Sequence, residues 1–469
     1  MPAPASAPPS NPDAPRPLTP PGLPPGSLAR QIRILALPML GEQLGNFLIG
    51  LVDTLLAGQI SREATGAVGT AAYVGWFTGL LFMLVSTGAA ALVSRSFGAG
   101  DPRAASRVLN QSVLLMLLMG VLAAAGVWSI APTIAGFLTG TSQASAMFVL
   151  YLRIDAFGYL LGAVLAIVNT ALRAAGDTRT PMVVMLGVNV VNAVVSMTLV
   201  FGWLGPPMGV AGIATGTVAA RCLGGLAALT IAIVGWRSMR LTRADLRPDP
   251  GYIWRILRIG IPGAAEAAVL TVAQFLFIKV VSMTAPEPLG GANYAAHMIA
   301  VRLEAITYLP AMAWMTAAAT MVGQYLGAQL PRQAARAAHV AALQGGVLAA
   351  LIAVNFYVWA DFLFGVMSND PLVRQVGAPA FRLLAFVQPI LCMGIIYNGA
   401  LRGAGDTRYT MFTSLVSGLL VRVPGAYLGG IVLEGGLVGA WCGMWADNIV
   451  RFALGLARHL HGGWKRVRV

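Results

Sequence analysis

Acids and amides that interrupt apolar runs are where this chain could do chemistry. In the stretch 31–57, Glu42, Asn46 and Asp53 stand at i, i+4 and i+11, nearly one face of a helix. A rise of 1.5 Å per residue separates the two carboxylates by about 16 Å. Asn189, Asn192 and Ser196 follow at i, i+3 and i+7 in 180–203, and Glu266, Gln274 and Lys279 lie in 254–283. An ionisable group in such a run costs several kcal/mol and is a functional candidate by default. Taken out of water, a carboxylate holds a proton more readily, so it can trade a proton for another cation.

Other polar residues read as supports. Arg302 and Glu304 are two apart and cannot share a helix face, so each is expected to find a partner on another helix. Asp155, Arg382, Arg422 and Asp447 read as structural or gating groups. His297 and His339 lack metal-ligand spacing, and no HExxH or GxSxG occurs, so neither a metal site nor an enzyme is expected. Cys222, Cys392 and Cys442 lie in apolar stretches as packing residues, without a disulfide framework.

Composition says what must position these groups. Of 469 residues 57% are hydrophobic and 10% charged, well below the roughly 25% charged of a soluble domain. Twelve apolar runs recur, near 31–57, 66–95, 107–131, 148–173, 180–203, 209–236, 254–283, 291–325, 334–360, 375–402, 410–432 and 436–459. Each is long enough to cross a bilayer core of about 30 Å. The fold class is an all-α polytopic membrane protein of twelve transmembrane helices in two pseudo-symmetric six-helix bundles.

The net charge of +14 does not signal nucleic acid, because the basic residues sit in short loops and show no stripe with interleaved aromatics. Alternate loops carry them: Arg95, Arg103 and Arg107, then Arg173 and Arg179, then Arg237 to Arg247, Arg332 and Arg336, Arg402 and Arg408. The positive-inside rule places those loops and both termini in the cytoplasm. The Pro-rich stretch 1–29 lacks the apolar core of a signal peptide and reads as a disordered cytoplasmic tail. Bundles of 30–236 and 254–460 follow, joined by a cytoplasmic connector, 237–253, and closed by a basic tail, 461–469.

The halves are written twice. "ALRAAGDTR" (171–179) returns as "ALRGAGDTR" (400–408), "LPMLGE" (37–42) as "IPGAAE" (261–266), "FGAGDPRAASR" (97–107) as "LGAQLPRQAAR" (326–336) and "GVAGIATG" (209–216) as "GLVGAWCG" (436–443). Six spans per half is an even number, so both halves enter the membrane in the same sense, as in parallel-repeat transporters. In the doubled motif Gly176 or Gly405 can end one helix, and Asp177-Thr178 or Asp406-Thr407 can cap the next. Pro181 suits a first turn, and the flanking arginines read as scaffold that holds orientation.

At these residues the chain resembles the multidrug and toxic compound extrusion (MATE) family. The resemblance is carried by "LPMLGEQLGNFLIGLVDTLLAG", by the doubled motif and by "AAHMIAVRLEAITYLPAMAWMTAAATMVGQYLGA", and spans about 30–460. It implies a V-shaped twelve-helix exporter of organic cations or toxins, exchanging them for protons or sodium ions, with no further cofactor. Asp53 in "LVDT" matches the family's first-span Asp. Asn192 matches the Asn of the DinF-type proton site, but Ser196 stands where that site has its Asp. Glu266 lies about one turn before the seventh-span Glu of the NorM type, and "FVQPILCMGIIYNGALR" lacks the tenth-span Asp. The candidate cation-coupling set is therefore Asp53, Glu42, Asn46, Asn189, Asn192 and Ser196, with Glu266 and Gln274 in the second bundle.

Trp76, Phe82, Met83, Tyr308, Met312 and Trp314 could line a chamber for small-molecule organic cations or drugs, since soft side chains suit promiscuous binding. The expected protein is a monomer in a bacterial inner membrane. A flippase for lipid-linked oligosaccharide or peptidoglycan precursor is the rival reading, and it needs several cations in its cavity to hold a pyrophosphate. Carboxylates and amides dominate the candidates here, which suits cationic cargo.

Overall fold

The computed structural model of the chain describes residues 19–138, 141–236 and 239–467. Helices α1 (Leu28–Ile60), α2 (Arg62–Gly98), α3 (Pro102–Leu138), α4 (Ser142–Ala156), α5 (Tyr159–Ala174), α6 (Arg179–Phe201) and α7 (Val210–Val234) make the first half. Helices α8 (Pro250–Ser282), α9 (Leu289–Gly327), α10 (Pro331–Met367), α11 (Pro371–Gly403), α12 (Thr407–Ser414), α13 (Val423–Tyr427) and α14 (Gly436–His461) make the second.

Among the described residues ten helical stretches are long and apolar enough to span a membrane, 407–432 counting as one. The pair α4 and α5, bent by 56°, supplies an eleventh. Helix α14, 26 residues long, is the twelfth by length, its hydropathy lowered by Asp447, Asn448 and Arg451. Each of the twelve apolar runs in the sequence is thus helical. The single helix expected over 148–173 is broken at Phe157-Gly158, where the chain turns beside Arg221. In the eleventh span, π-helical turns at Leu415–Arg422 and Leu428–Val432 flank α13. Pro424 has no N–H to give the regular ladder, and local widening of this kind accommodates it.

Local chemistry sets the ends. Asp249 accepts from the N–H groups of Gly251 and Tyr252 ahead of α8, and Asp370 from Leu372 ahead of α11, each with proline at the first helical position. In the doubled motif Gly176 and Gly405 take φ of +96° and +84°, the left-handed turn that glycine tolerates. Asp177 then accepts from the N–H of Arg179 at 3.1 Å and of Thr180 at 3.0 Å. Its repeat, Asp406, makes no such cap and instead takes Nε of Arg458 at 2.8 Å, so the two copies share the backbone turn but not the aspartate cap.

Two lobes result, joined at the end that carries both termini. There Thr320 bonds the carbonyl of Arg173 at 3.2 Å, Gln324 that of Ala174 at 2.9 Å, and Gln344 that of Ala29 at 3.0 Å. Tyr325 donates to Gln31 at 2.8 Å in the same layer. Helices α2 and α8 cross the seam in contact. A side chain at Gly88 would run into the backbone of Ile256, and one at Gly260 into the carbonyl of Leu84. Higher on the same seam Phe275 meets Tyr73 and Phe77, ring centroids 6.2 and 6.4 Å apart.

The flanks of the bundles are more ordered than their composition suggests. Leu23, within the stretch read as a disordered tail, is buried in the core shared by α1, α9, α10 and α11; residues 1–18 of that tail lie outside the described residues. The connector after residue 239 is tied to α3 through Asn110 and Gln111. Trp464 of the C-terminal tail is buried and stacked on His459 at 5.3 Å.

Candidate functional site

Inside the N-terminal lobe the acids of α1 part ways. Glu42 is buried and bonds Nη1 of Arg173, the arginine of the doubled motif, at 2.6 Å. Asn46 accepts from Nδ2 of Asn189 at 3.5 Å, linking α1 to α6. Asp53 has no ion pair among the described residues, and its buried Oδ1 has no hydrogen-bond partner. The charges beside it are Arg221 on α7 and Asp155 at the α4–α5 break, themselves paired at 2.6 Å. Tyr151 stands near both Asp53 and Asp155, and the Arg221 guanidinium lies 5.5 Å from the ring of Tyr159.

Asn192 and Ser196 of α6 meet α7. Asn192 donates to Thr217 at 3.0 Å, and Ser196 sits 3.5 Å from the carbonyl of Ile213. A side chain at Gly216 would collide with Ser196, so α6 and α7 are in close contact there. Two carboxylates and one arginine leave this interior with one negative charge over. It can hold one small cation.

The C-terminal lobe is built differently. Glu266 is fully engaged: Arg402 donates through Nη2 at 2.7 Å and Nε at 3.1 Å, Thr410 at 2.6 Å and Ser414 at 3.2 Å. Arg402 is the second-copy counterpart of Arg173, so the doubled motif supplies a buried ion-pair partner in each lobe. Gln274 accepts from Arg422 at 2.7 Å. Arg422 and Arg451 both reach Asp447, at 3.8 and 2.8 Å. Glu304 accepts from the amide of Gln388 at 2.9 Å.

Arg422 and Asp447, read as structural or gating groups, sit deep in their spans, and Asp155 lies at a helix break, each in an ion pair. One expectation is corrected. Carboxylates and amides do not dominate the second lobe, where three arginines meet them. Of the aromatic candidates, Trp76 is 53% exposed and Tyr308 42%, whereas Trp314 is buried in the core and bonded to Gln344. Arg302 is exposed and has no ion pair among the described residues, so only Glu304 gains the partner expected of both. His297 is buried against Phe277 and Trp441, and His339 bonds Tyr397 at 2.7 Å. The three cysteines are free.

Sequence reasoning passed over Arg221, Arg451 and Gln388. Arg221 carried a usable signal, being the one charge in the 25-residue apolar run of α7. Its partner Asp155 is 66 residues away, and no local spacing rule joins them.

Two six-span lobes joined at one end, each with ionisable groups at its heart, define a multi-pass membrane transporter. The MatE family model matches the chain twice, over residues 38–198 and 263–428. The chain belongs to the multidrug and toxic compound extrusion family. It is 30% identical over 448 residues to the probable multidrug resistance protein NorM of Thermotoga maritima, covering 94% of each chain. It is 27% identical to the multidrug resistance protein PmpM of Pseudomonas aeruginosa, over 85% of this chain and 83% of that one. Among solved structures it superimposes on an outward-facing multidrug resistance MATE transporter with a TM-score of 0.86 at 20% identity, covering 94% and 98% of the two chains. A Pyrococcus furiosus transporter of the MOP superfamily, described as having a binding pocket of reverse polarity, gives 0.87 at 20% identity over the same shares. At that identity these two likenesses establish the fold.

Proposed function

We propose that the chain is a cation-coupled multidrug antiporter that exports organic cations by alternating access between its lobes, with Asp53 carrying the coupling ion. Membership of the family and the names of its multidrug relatives support the export of drugs. The bonding state of Asp53 carries the assignment of the coupling site. Glu42, Asp155, Glu266 and Asp447 are each held by an arginine, while Asp53 keeps a buried oxygen without a partner. A proton is the smallest charge that satisfies it, and sodium is the other ion the same test addresses. Asn46, Asn189, Asn192 and Ser196 then order the α1–α6–α7 wall around the carrier, and Glu42 and Glu266 brace the lobes.

We read the joined end and both termini as cytoplasmic, a reading the arginine-rich loops support. We read the working unit as one chain in a bacterial inner membrane. One proton exchanged for one monovalent organic cation moves no net charge, so the exchange draws on the pH difference, about tenfold in drug gradient per pH unit.

Sealed proteoliposomes with pH and sodium gradients imposed independently test this reading. Ethidium efflux that follows the pH gradient, with proton release on drug addition, is the expected result. Efflux driven only by sodium moves the coupling ion from proton to sodium. Inactivity on drugs with movement of a labelled lipid-linked sugar replaces the reading with the flippase.

A further inference from the structure

One pair of helices is copied closely between the lobes and yet differs in how it treats an arginine. At the spacing of 229 residues that takes "ALRAAGDTR" to "ALRGAGDTR", α3 falls on α10, each 37 residues long, and the start of α4 on the start of α11. Trp128 and Phe157 then correspond to Tyr357 and Phe386, and each pair meets edge to face, with ring centroids 5.5 and 5.6 Å apart. Arg153 corresponds to Arg382. In the second lobe Arg382 is ion-paired with Asp361, and Arg374 lies over the end of α10, donating from Nε to the carbonyl of Ser368 at 2.6 Å. In the first lobe Pro132 stands for Asp361 and Ser145 for Arg374. The smaller, uncharged pair leaves a groove of about 560 Å3 between α3 and α4, lined by Pro132, Ser142, Ser145, Val149, Leu150 and Arg153.

Arg153 is exposed and has no ion pair among the described residues; its guanidinium lies 5.4 Å from the ring of Trp128. The surface around it is apolar, with Ile130, Phe137, Leu150 and Phe157 exposed, and suits lipid better than water. Asp155, two residues on, is buried on another face of the helix and pairs with Arg221. A cation on a lipid-facing surface is costly unless a counter-charge reaches it. The second lobe builds that counter-charge into the chain, and the first does not.

We propose that the α3–α4 groove binds the phosphate of an anionic membrane phospholipid, in the leaflet opposite the joined end. A guanidinium fork matches phosphate oxygens in paired, charge-assisted bonds, and the hydroxyls of Ser142 and Ser145 add neutral donors. Arg153 lies about 16 Å along α4 from Ser142. Helical side chains lean toward the N-terminus, here the membrane-surface end of α4, and a long basic side chain extends further that way to reach headgroups. Val149, Leu150 and Trp128 offer the acyl chains an apolar wall. The phosphate thus does for Arg153 what Asp361 does for Arg382, and an occupied groove ties α3 to the helix that carries Asp155.

The test uses the purified full chain in detergent micelles, titrated with dioleoyl phosphatidylglycerol, with dioleoylglycerol, which lacks the phosphate, or with inorganic phosphate, and bound molecules are counted by native mass spectrometry. The wild type is expected to take up phosphatidylglycerol saturably and dioleoylglycerol about tenfold or more weakly. Arg153→Gln is expected to weaken phosphatidylglycerol binding by about tenfold or more. Pro132→Asp, which writes the acid of the second lobe into the first, should weaken it by a like factor with Arg153 still in place. Phosphatidylglycerol affinity unchanged in both variants overturns the site, as does equal binding of dioleoylglycerol. Inorganic phosphate that displaces the lipid at equal concentration overturns the lipid as the occupant. If Arg153→Gln fails to fold, Pro132→Asp decides alone: a retained affinity overturns the proposal, a weakened one supports it. Binding is read without transport, so failure here leaves the antiport reading untouched.

Discussion

Glu42 and Arg173 hold each other at 2.6 Å in one lobe, and Glu266 and Arg402 do so at 2.7 Å in the other. All four residues belong to segments that the chain writes twice, so the repeat preserves a bond as well as a backbone turn. The two copies differ in depth. Arg402 meets its partner through two nitrogens, and Thr410 and Ser414 take up the remaining oxygen lone pairs, while Arg173 makes one bond.

That difference predicts unequal costs. Arg402→Met leaves Glu266 buried without a counter-charge and is expected to destabilise the protein by about 3 kcal/mol or more. Arg173→Met is expected to cost less, since the Glu42 pair is less deeply enclosed. Denaturant or thermal unfolding in detergent measures both. The double variant Arg402→Met with Glu266→Gln should regain part of the loss, because it removes the stranded charge. Stability of Arg402→Met equal to the wild type would show that the pair holds nothing.

Much of the scaffold was legible in the sequence because membrane burial imposes a length and a polarity on every span. All twelve apolar runs are helical, and glycine at 176 and 405 ends a helix in the left-handed turn expected of it. The interior was less legible. Arg173 looked like a surface charge fixing orientation, and only the three-dimensional path turns it inward to Glu42. Asp155 with Arg221, and Asp447 with Arg422, are joined across helices, and such pairings follow from packing and not from spacing. The break at Phe157-Gly158 and the π turns of the eleventh span also escape a reading based on periodicity, which is blind to one residue more or less per turn.

Asp53→Asn removes the carboxylate and keeps its size and polarity. The variant is expected to unfold within about 1 kcal/mol of the wild type, since no ion pair is lost, and to abolish drug-driven proton release. Proton release from sealed vesicles on ethidium addition, read with a pH dye, checks it. Coupling at the wild-type level in this variant would move the carrier role away from Asp53.

Replacing Arg221 tests whether the neighbouring pair is a support. Arg221→Gln strands Asp155 and is expected to cost about 3 kcal/mol, whereas Arg221→Gln with Asp155→Asn should cost less because no lone charge remains. Unfolding midpoints of the single and double variants settle the order. A double variant less stable than the single one would mean that Asp155 has another partner in the folded state.

Alternating access requires the joined end to open, and Gly260 sits where opening can be forced. A β-carbon there meets the carbonyl of Leu84, so α8 must move off α2 to admit one. Gly260→Val is therefore expected to shift the lobes away from the state described here and to slow transport by about tenfold or more, at a folding cost of about 1–3 kcal/mol. A cysteine at Ser94, which is buried and packed against Gly323 across the same seam, reports the shift. With Cys222, Cys392 and Cys442 replaced by alanine or serine, it should react faster with a water-soluble maleimide in the Gly260→Val background than in the parent. Equal labelling rates with normal transport would mean that the α2–α8 crossing yields locally and does not govern which face is open.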